Sequence, residues 1–220
     1  MLRDQHLRAA IQKHLQAFPL QASPDVASNR HAAVAVTVVD TGNGPDLPGL
    51  ANSTQWSTSA ALLLTRRSAK LRNHPGQWAF PGGRLDEGET PAECALREMD
   101  EEVGLKLSAS CILGQLDDFI TRSGFVITPV VVWAGESREL QPNPDEVASV
   151  HRIPLTEFLR GDAPILDASP HSDHPILRMP VGDDHIAAPT AAIIYQFREV
   201  CLLNRVTRVA HFEQPEFAWR

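Results

Sequence analysis

The sequence predicts one mixed α/β domain, of the α+β kind, and three observations carry that reading. Apolar, β-branched runs at 32–39, 59–65 and 125–134 have the length and composition of buried strands. One helix, over about 91–103, is marked at both of its ends. The 220 residues (24.1 kDa) contain no repeat, low-complexity tract or linker that would divide them. The domain is therefore expected to span 1–220, with a helix at about 4–18 and a tail at about 204–220.

The elements follow in order. Leu7, Ile11, Leu15 and Phe18 lie at steps of four, four and three and form one apolar stripe. Arg3, Asp4 and Arg8 interrupt the apolar stretch a secretory signal would need, so a helix packed on the domain is expected rather than a leader. Residues 41–56, rich in Gly, Pro and Asn, make a loop. A strand is expected at 111–119, and Pro129 within 125–134 predicts a sheet edge or a bulge there. Thr190 to Leu203 reads as a helix with Ile193, Ile194, Phe197 and Val200 inward. The tail from Thr207, with Phe212, Phe217 and Trp219, is aromatic enough to pack on the domain or on a second subunit.

Composition excludes several classes of protein. At 43% hydrophobic and 21% charged the chain can build a core. No apolar run approaches the ~20 residues of a membrane span. A net charge of −7 does not suit a protein that coats nucleic acid. Cys94, Cys111 and Cys201 are odd in number and lack a CxxC pair, which fits neither a disulfide framework nor a zinc site and makes a reducing cytoplasm the default.

The acidic surplus is local. Residues 86–102 hold eight acids and one base, a charge that equals the whole chain's excess. Thr90 is a helix N-cap, Pro91 fits the first helical position, Glu93 completes a capping box, and Gly104 supplies the left-handed stop. On this helix Ala92, Ala95, Leu96, Met99 and Val103 form the core stripe, with Cys94 read as a buried thiol. Glu98, Glu101 and Glu102 fall beside the stripe at i, i+3 and i+4, where like charges repel. Oxygen-only ligands suit Mg²⁺ or Mn²⁺ rather than zinc. Gly82 and Gly83 permit close backbone approach to a ligand, and an Arg97–Glu89 pair would clamp the preceding loop to the helix. An ordinary solvated acidic helix is the alternative these residues leave open.

Gly83, Glu89, Arg97, Glu98, Met99, Glu101, Glu102, Gly104 and Leu105 together resemble the signature of the Nudix hydrolases. The resemblance implies a Nudix fold, a mixed β-sheet sandwiched between α-helices. It also implies hydrolysis of a nucleoside diphosphate linked to another moiety, using divalent metal. The implied metal ligands are Glu98, Glu101, Glu102 and the Gly83 carbonyl, with Glu101 a ligand or the base and Arg97 and Glu89 supporting them. A homodimer is also within the resemblance. Just upstream, Leu63, Leu64, Thr65, Ser68, Arg72, Gly76, Phe80, Pro81, Gly82 and Gly83 are similar to the added motif of the coenzyme A pyrophosphatase subgroup. The implied substrate is coenzyme A or acyl-coenzyme A, and the implied products are 4′-phosphopantetheine (or its acyl form) and adenosine 3′,5′-bisphosphate. Arg66, Arg67, Lys70, Arg72 and His74 form a basic cluster suited to phosphate, and Arg67, Arg72 and Phe80 are the expected substrate contacts. A pyrophosphatase for ADP-ribose or NADH, and a non-catalytic nucleotide-binding module, are the competing readings. Asn143 to Val147 resembles the family's stretch before a late strand, where a glutamate can lie near the metals; Glu146 is read as a loop acid first, with an extra ligand or base as the alternative. His171, Asp173, His174, Asp183, Asp184 and His185 fit no zinc spacing and read as a polar surface loop.

Overall fold

A computed structural model of the chain describes residues 1–21, 30–135, 137, 139–170 and 172–215. Helix α1 is Gln5–Ala17, started by the Asp4 carboxylate, which accepts from Leu7 N. Strands β1 (His31–Gly42) and β2 (Ser57–Arg67) follow, then β3 (Trp78–Ala79) and β4 (Gly82–Arg84). Helix α2 is Pro91–Val103. The chain continues through β5 (Ile112–Gln115), β6 (Phe119–Ile120), β7 (Val126–Trp133) and β8 (Val147–Pro154). Strands β9 (Ile165–Asp167), β10 (Ile176–Val181) and β11 (Asp184–Ala187) precede α3 (Thr190–Phe197), which runs into a π-helical turn at Arg198–Leu202.

The main sheet is mixed. β1 runs parallel to β7 over eight residues and antiparallel to β2, whose far side pairs β8. β1 and β2 diverge, and the segment carrying β3 and β4 fills the fork: Thr65 pairs Ala79, and Ala33 pairs Gly83. Residue parity sorts the side chains onto two faces. Ala33, Ala35, Val39, Ala61, Leu63, Val130 and Val132 pack under α2. Val36, Val38, Leu62, Leu64, Val131 and Trp133 face a larger core shared with α1, α3 and the β9–β11 sheet. Because both faces are covered, these strands read as unbroken apolar runs rather than as alternating ones.

Three expectations change. Pro129 sits in an interior strand, not at an edge, because β7 lies between β1 and β5–β6. Its carbonyl accepts from Leu116 N at 3.0 Å, on the side where β5 gives way to β6. Its nitrogen faces that same break in the ladder, so no pairing bond is lost. The irregularity lies in the partner strand, whose register shifts between Ile112 and Gly114. The strand expected at 111–119 is accordingly two short ones, and the loop expected around 173–185 instead contains most of β10 and the start of β11. In the tail, Val209 and Phe212 are buried in the larger core, while Phe217 and Trp219 lie outside the described residues.

Ile11 is fully buried and Leu15 nearly so against this core. Ile11→Ala is expected to lower the unfolding free energy by about 2–5 kcal/mol, the cost of an unfilled core site. Urea denaturation checks this, and a loss below about 1 kcal/mol would show that α1 is not docked.

Candidate active site

Local chemistry fixes α2 where the sequence puts it. Thr90 Oγ1 accepts from Glu93 N at 3.3 Å, and Glu93 Oε2 accepts from Thr90 N at 2.9 Å. Gly104 ends the helix at φ 68°, with its N–H on Asp100 O. Burial then sorts the glutamates. Glu98 and Glu102, one turn apart, are turned inward with Met99 and Val103, whereas Glu101 stays exposed. Strand β4 lies beside them, and a Cβ on Gly83 would land on the Glu98 carboxylate. Glycine is needed at 83 because that carboxylate rests directly on the strand backbone.

One guanidinium organises the cluster. Arg97 grips Glu89 with two hydrogen bonds, Nε to Oε1 at 2.8 Å and Nη2 to Oε2 at 2.9 Å. Its Nη1 also donates to Glu98 Oε1 at 2.8 Å and Glu101 Oε2 at 2.9 Å, and Nη2 reaches the Arg84 carbonyl at 3.1 Å. The Arg97–Glu89 clamp is thus formed, and it ties the glycine strand and the loop after it to the helix. The pair holds the Glu89 carboxyl down at about 2.

Glu102 receives none of this. Burial pushes its carboxyl up to about 8, with the Glu98 charge adding to the rise and Glu146 contributing less. The Arg67 charge and the Gly82 N–H offset only part. Burial also raises Glu98, against the pull of Arg97. Glu146 acts on both, from a loop that Gln141 N and Asn143 N tether to the carbonyls of Val103 and Glu102, at 2.8 and 2.9 Å. Among the described residues no three His, Cys, Asp or Glu side chains converge tightly enough to form a ready metal site. The oxygen donors present are the desolvated Glu98 and Glu102, with Glu146 nearby. Mutual repulsion between buried carboxylates is what a divalent cation would relieve, so the donor set fits Mg²⁺ or Mn²⁺. The Gly83 carbonyl faces the helix start, 3.6 Å from Cys94 Sγ. The Cys94 thiol, raised to about 11 mainly by burial, is inert.

Beside the acidic cluster opens a cleft of about 350 Å³. Arg67, Phe80, Gly82 and Gly83 line it, and Arg72 does not; that residue is exposed. Arg66 is committed elsewhere, stacked 3.9 Å from the Trp78 ring centre and paired with Asp184. Lys70 pairs with Asp145 at 2.7 Å. The cleft also contains residues that the sequence did not single out: Arg84, Thr121, Ser123, Phe125, Ile127 and Gln214. Arg84 lies over the Phe125 ring, 4.9 Å from its centre. Nothing in the local sequence of 121–127 or at Gln214 announces a cleft wall, since these walls meet only through long-range packing. The acid and histidine residues of 173–185 are dispersed: Asp184 goes to Arg66 and Trp78, and His185 lies 2.9 Å from Arg178. His171 lies outside the described residues.

A glycine-bearing strand, a helix with two buried glutamates and an arginine clamp together define a desolvated carboxylate cluster beside a cleft. Residues 51–173, just over half of the chain, match the NUDIX domain, and the chain belongs to the Nudix family. It is 40% identical over 135 residues to the protein named "Uncharacterized Nudix hydrolase NudL" of Yersinia enterocolitica, covering 61% of each chain. It is 36% identical over 155 residues to "Nudix hydrolase 3" of Caenorhabditis elegans, covering 67% of this chain and 59% of that one. These matches span about three fifths of the relatives' own length. Among solved structures, a MutT/nudix family protein from Enterococcus faecalis superposes with a TM-score of 0.55 at 22% identity, over 82% of this chain and 65% of that one, and shares the fold.

The raised carboxyl of Glu102 has a consequence for stability. Its folded value of about 8 lies above the ordinary 4.5, so its favourable contribution is complete below the ordinary value and lost as pH rises through about 8. In EDTA the protein is expected to lose stability from pH 6 to pH 9. Glu102→Gln, which stays neutral, should flatten that loss and raise Tm at pH 9 by about 3–6 °C. Calorimetry in EDTA checks this; an unchanged slope in the variant contradicts the assignment.

Proposed function

We infer that the chain hydrolyses the pyrophosphate bond of coenzyme A or acyl-coenzyme A, dependent on Mg²⁺ or Mn²⁺. The products are 4′-phosphopantetheine (or its acyl form) and adenosine 3′,5′-bisphosphate. The observation that carries this reading is the course of residues 63–83, the segment similar to the coenzyme A pyrophosphatase motif. It runs from β2 through β3 into β4, putting Arg67 and Phe80 on the cleft and ending at Gly83 on the carboxylate cluster. The segment therefore links a cationic contact and an apolar floor on the cleft to the strand residue against which the Glu98 carboxylate rests.

Each group has a part that its surroundings permit. Glu98 and Glu102 would hold the cation, with Glu146 and the Gly83 carbonyl as further oxygen donors. Bound there, the cation supplies charge neutralisation on the pyrophosphate oxygens and activation of the attacking water. Arg97 keeps Glu98 in place and draws Glu101 to the cluster's edge, where its exposed carboxylate would take the proton from the attacking water. Arg67 would bind phosphate oxygens. Phe80, buried in the core as well as lining the cleft, would pack against the apolar part of the substrate. The free thiols of Cys94, Cys111 and Cys201 suit a reducing compartment, and among the described residues no helix is long and apolar enough to cross a membrane.

Incubation with coenzyme A and either metal is expected to yield adenosine 3′,5′-bisphosphate, separated by chromatography. Its absence under both metals, or a higher kcat/KM for ADP-ribose or NADH, overturns the substrate assignment. Glu102→Gln should lower kcat by at least about 100-fold, in the range for losing a charged group at a reacting centre, with the circular dichroism spectrum unchanged. Retained turnover in that variant overturns the site.

A further inference from the structure

The cleft has one wall that the reading above leaves without a task. Gln214 lines it, together with Phe80, Ile193 and, from the β6–β7 loop, Thr121, Ser123 and Phe125. Gln214 is only 4% exposed. Its backbone N–H donates to Glu213 Oε1 at 3.0 Å, and its side-chain amide is engaged by no hydrogen bond among the described residues. A carboxamide carries two donors and an acceptor, and Gln214, with its side chain unengaged among those residues, is one of the residues that line the cleft.

Its position is set by a rigid tie. The neighbouring Glu213 carboxylate accepts from Arg122 Nε and Nη2, both at 2.7 Å, and from Ser172 Oγ at 2.8 Å. Glu213 N donates to the Pro175 carbonyl at 2.9 Å, and Val209 and Phe212 anchor the segment in the core. Arg122 belongs to the loop that supplies the adjoining wall, and that loop is itself fixed: Phe125 N donates to Thr121 Oγ1 at 2.9 Å, and Arg30 Nη1 to the Ser123 carbonyl at 2.6 Å. The C-terminal segment and the β6–β7 loop are thereby tied together, and both contribute residues to the cleft.

We propose that Gln214 is a specificity-determining residue that reads an uncharged part of the substrate carrying a hydrogen-bond donor and acceptor. The inference rests on the coenzyme A reading and deepens it. Arg67 and Arg84 supply the cleft's positive charge, Arg84 from over the Phe125 ring, whereas Gln214 and the lining residues Phe80, Ile127 and Ile193 carry none. That part of the surface suits a neutral group, and a ligand lacking the hydrogen-bonding edge would leave the amide unpaired, which is how such sites discriminate. Two parts of coenzyme A present that chemistry, an amide of the pantetheine arm and the edge of the adenine.

The test separates them. Wild type and Gln214→Leu are titrated by calorimetry, in Mg²⁺, with 4′-phosphopantetheine and separately with adenosine 3′,5′-bisphosphate. Binding of one half should weaken by at least about fivefold, the worth of a neutral hydrogen bond, while the other half stays within about twofold. The affected half names the group read. Equal weakening of both halves would mark a merely structural role and overturn the proposal, as would no change in either. Gln214→Glu, which keeps the side chain's shape, replaces the leucine variant if that one does not fold. Wild type binding neither half overturns the coenzyme A reading and this inference with it; wild-type binding matched by the variants overturns the inference alone.

Discussion

The arrangement of the site depends on how one guanidinium is shared. Arg97 has five N–H donors, and Glu89, Glu98, Glu101 and the Arg84 carbonyl take them up. The fork does two things together. It fastens the loop after β4 to the first turns of α2, and it uses up the positive charge nearest the acidic helix. Glu102, a turn beyond Glu98 and buried on the same side, is left with the charge of Arg67 and one backbone N–H. The structure thus holds a desolvated carboxylate with inadequate relief, and such a group is stable as an anion only with a cation beside it.

The sheet makes this possible. β1 and β2 splay apart, and the short β3 and β4 fill the opening, so that Gly82 and Gly83 are held by pairing with β1 rather than left in a free loop. Glycine at 83 then lets the helix approach until a carboxylate touches the strand. The same segment delivers Arg67 and Phe80 to the cleft. The contacts that fix the helix therefore also fix the distance from the cleft to the carboxylates.

Much of this could be read from the chain, for physical reasons. The limits of α2 were legible because Thr90, Pro91, Glu93 and Gly104 act within a turn of themselves. The central strands were legible because both of their faces are buried. The role of Arg97 toward Glu89 followed from its spacing, but its hold on Glu101, and hence the different fates of three neighbouring glutamates, needed the packing of β4 against α2. The β9–β11 sheet escaped notice because its strands are short and carry Asp167, Asp184 and His185. Their stability comes from Leu177, Met179 and Ile186 in a core assembled over long range. Pro129 misled because its missing donor faces a break that only the partner strand reveals. Arg72 reads as part of the basic cluster, yet it is exposed and does not line the cleft that Arg67, five residues earlier, does.

The central claim is that Glu102, left unneutralised by Arg97, is the principal anchor for a divalent cation, and Mn²⁺ binding measures it directly. Free Mn²⁺ followed by electron paramagnetic resonance at pH 8, without substrate, should show affinity falling by at least about tenfold in Glu102→Gln and by far less in Glu101→Gln. Equal affinities in wild type and Glu102→Gln, or a greater loss in Glu101→Gln, would contradict the account.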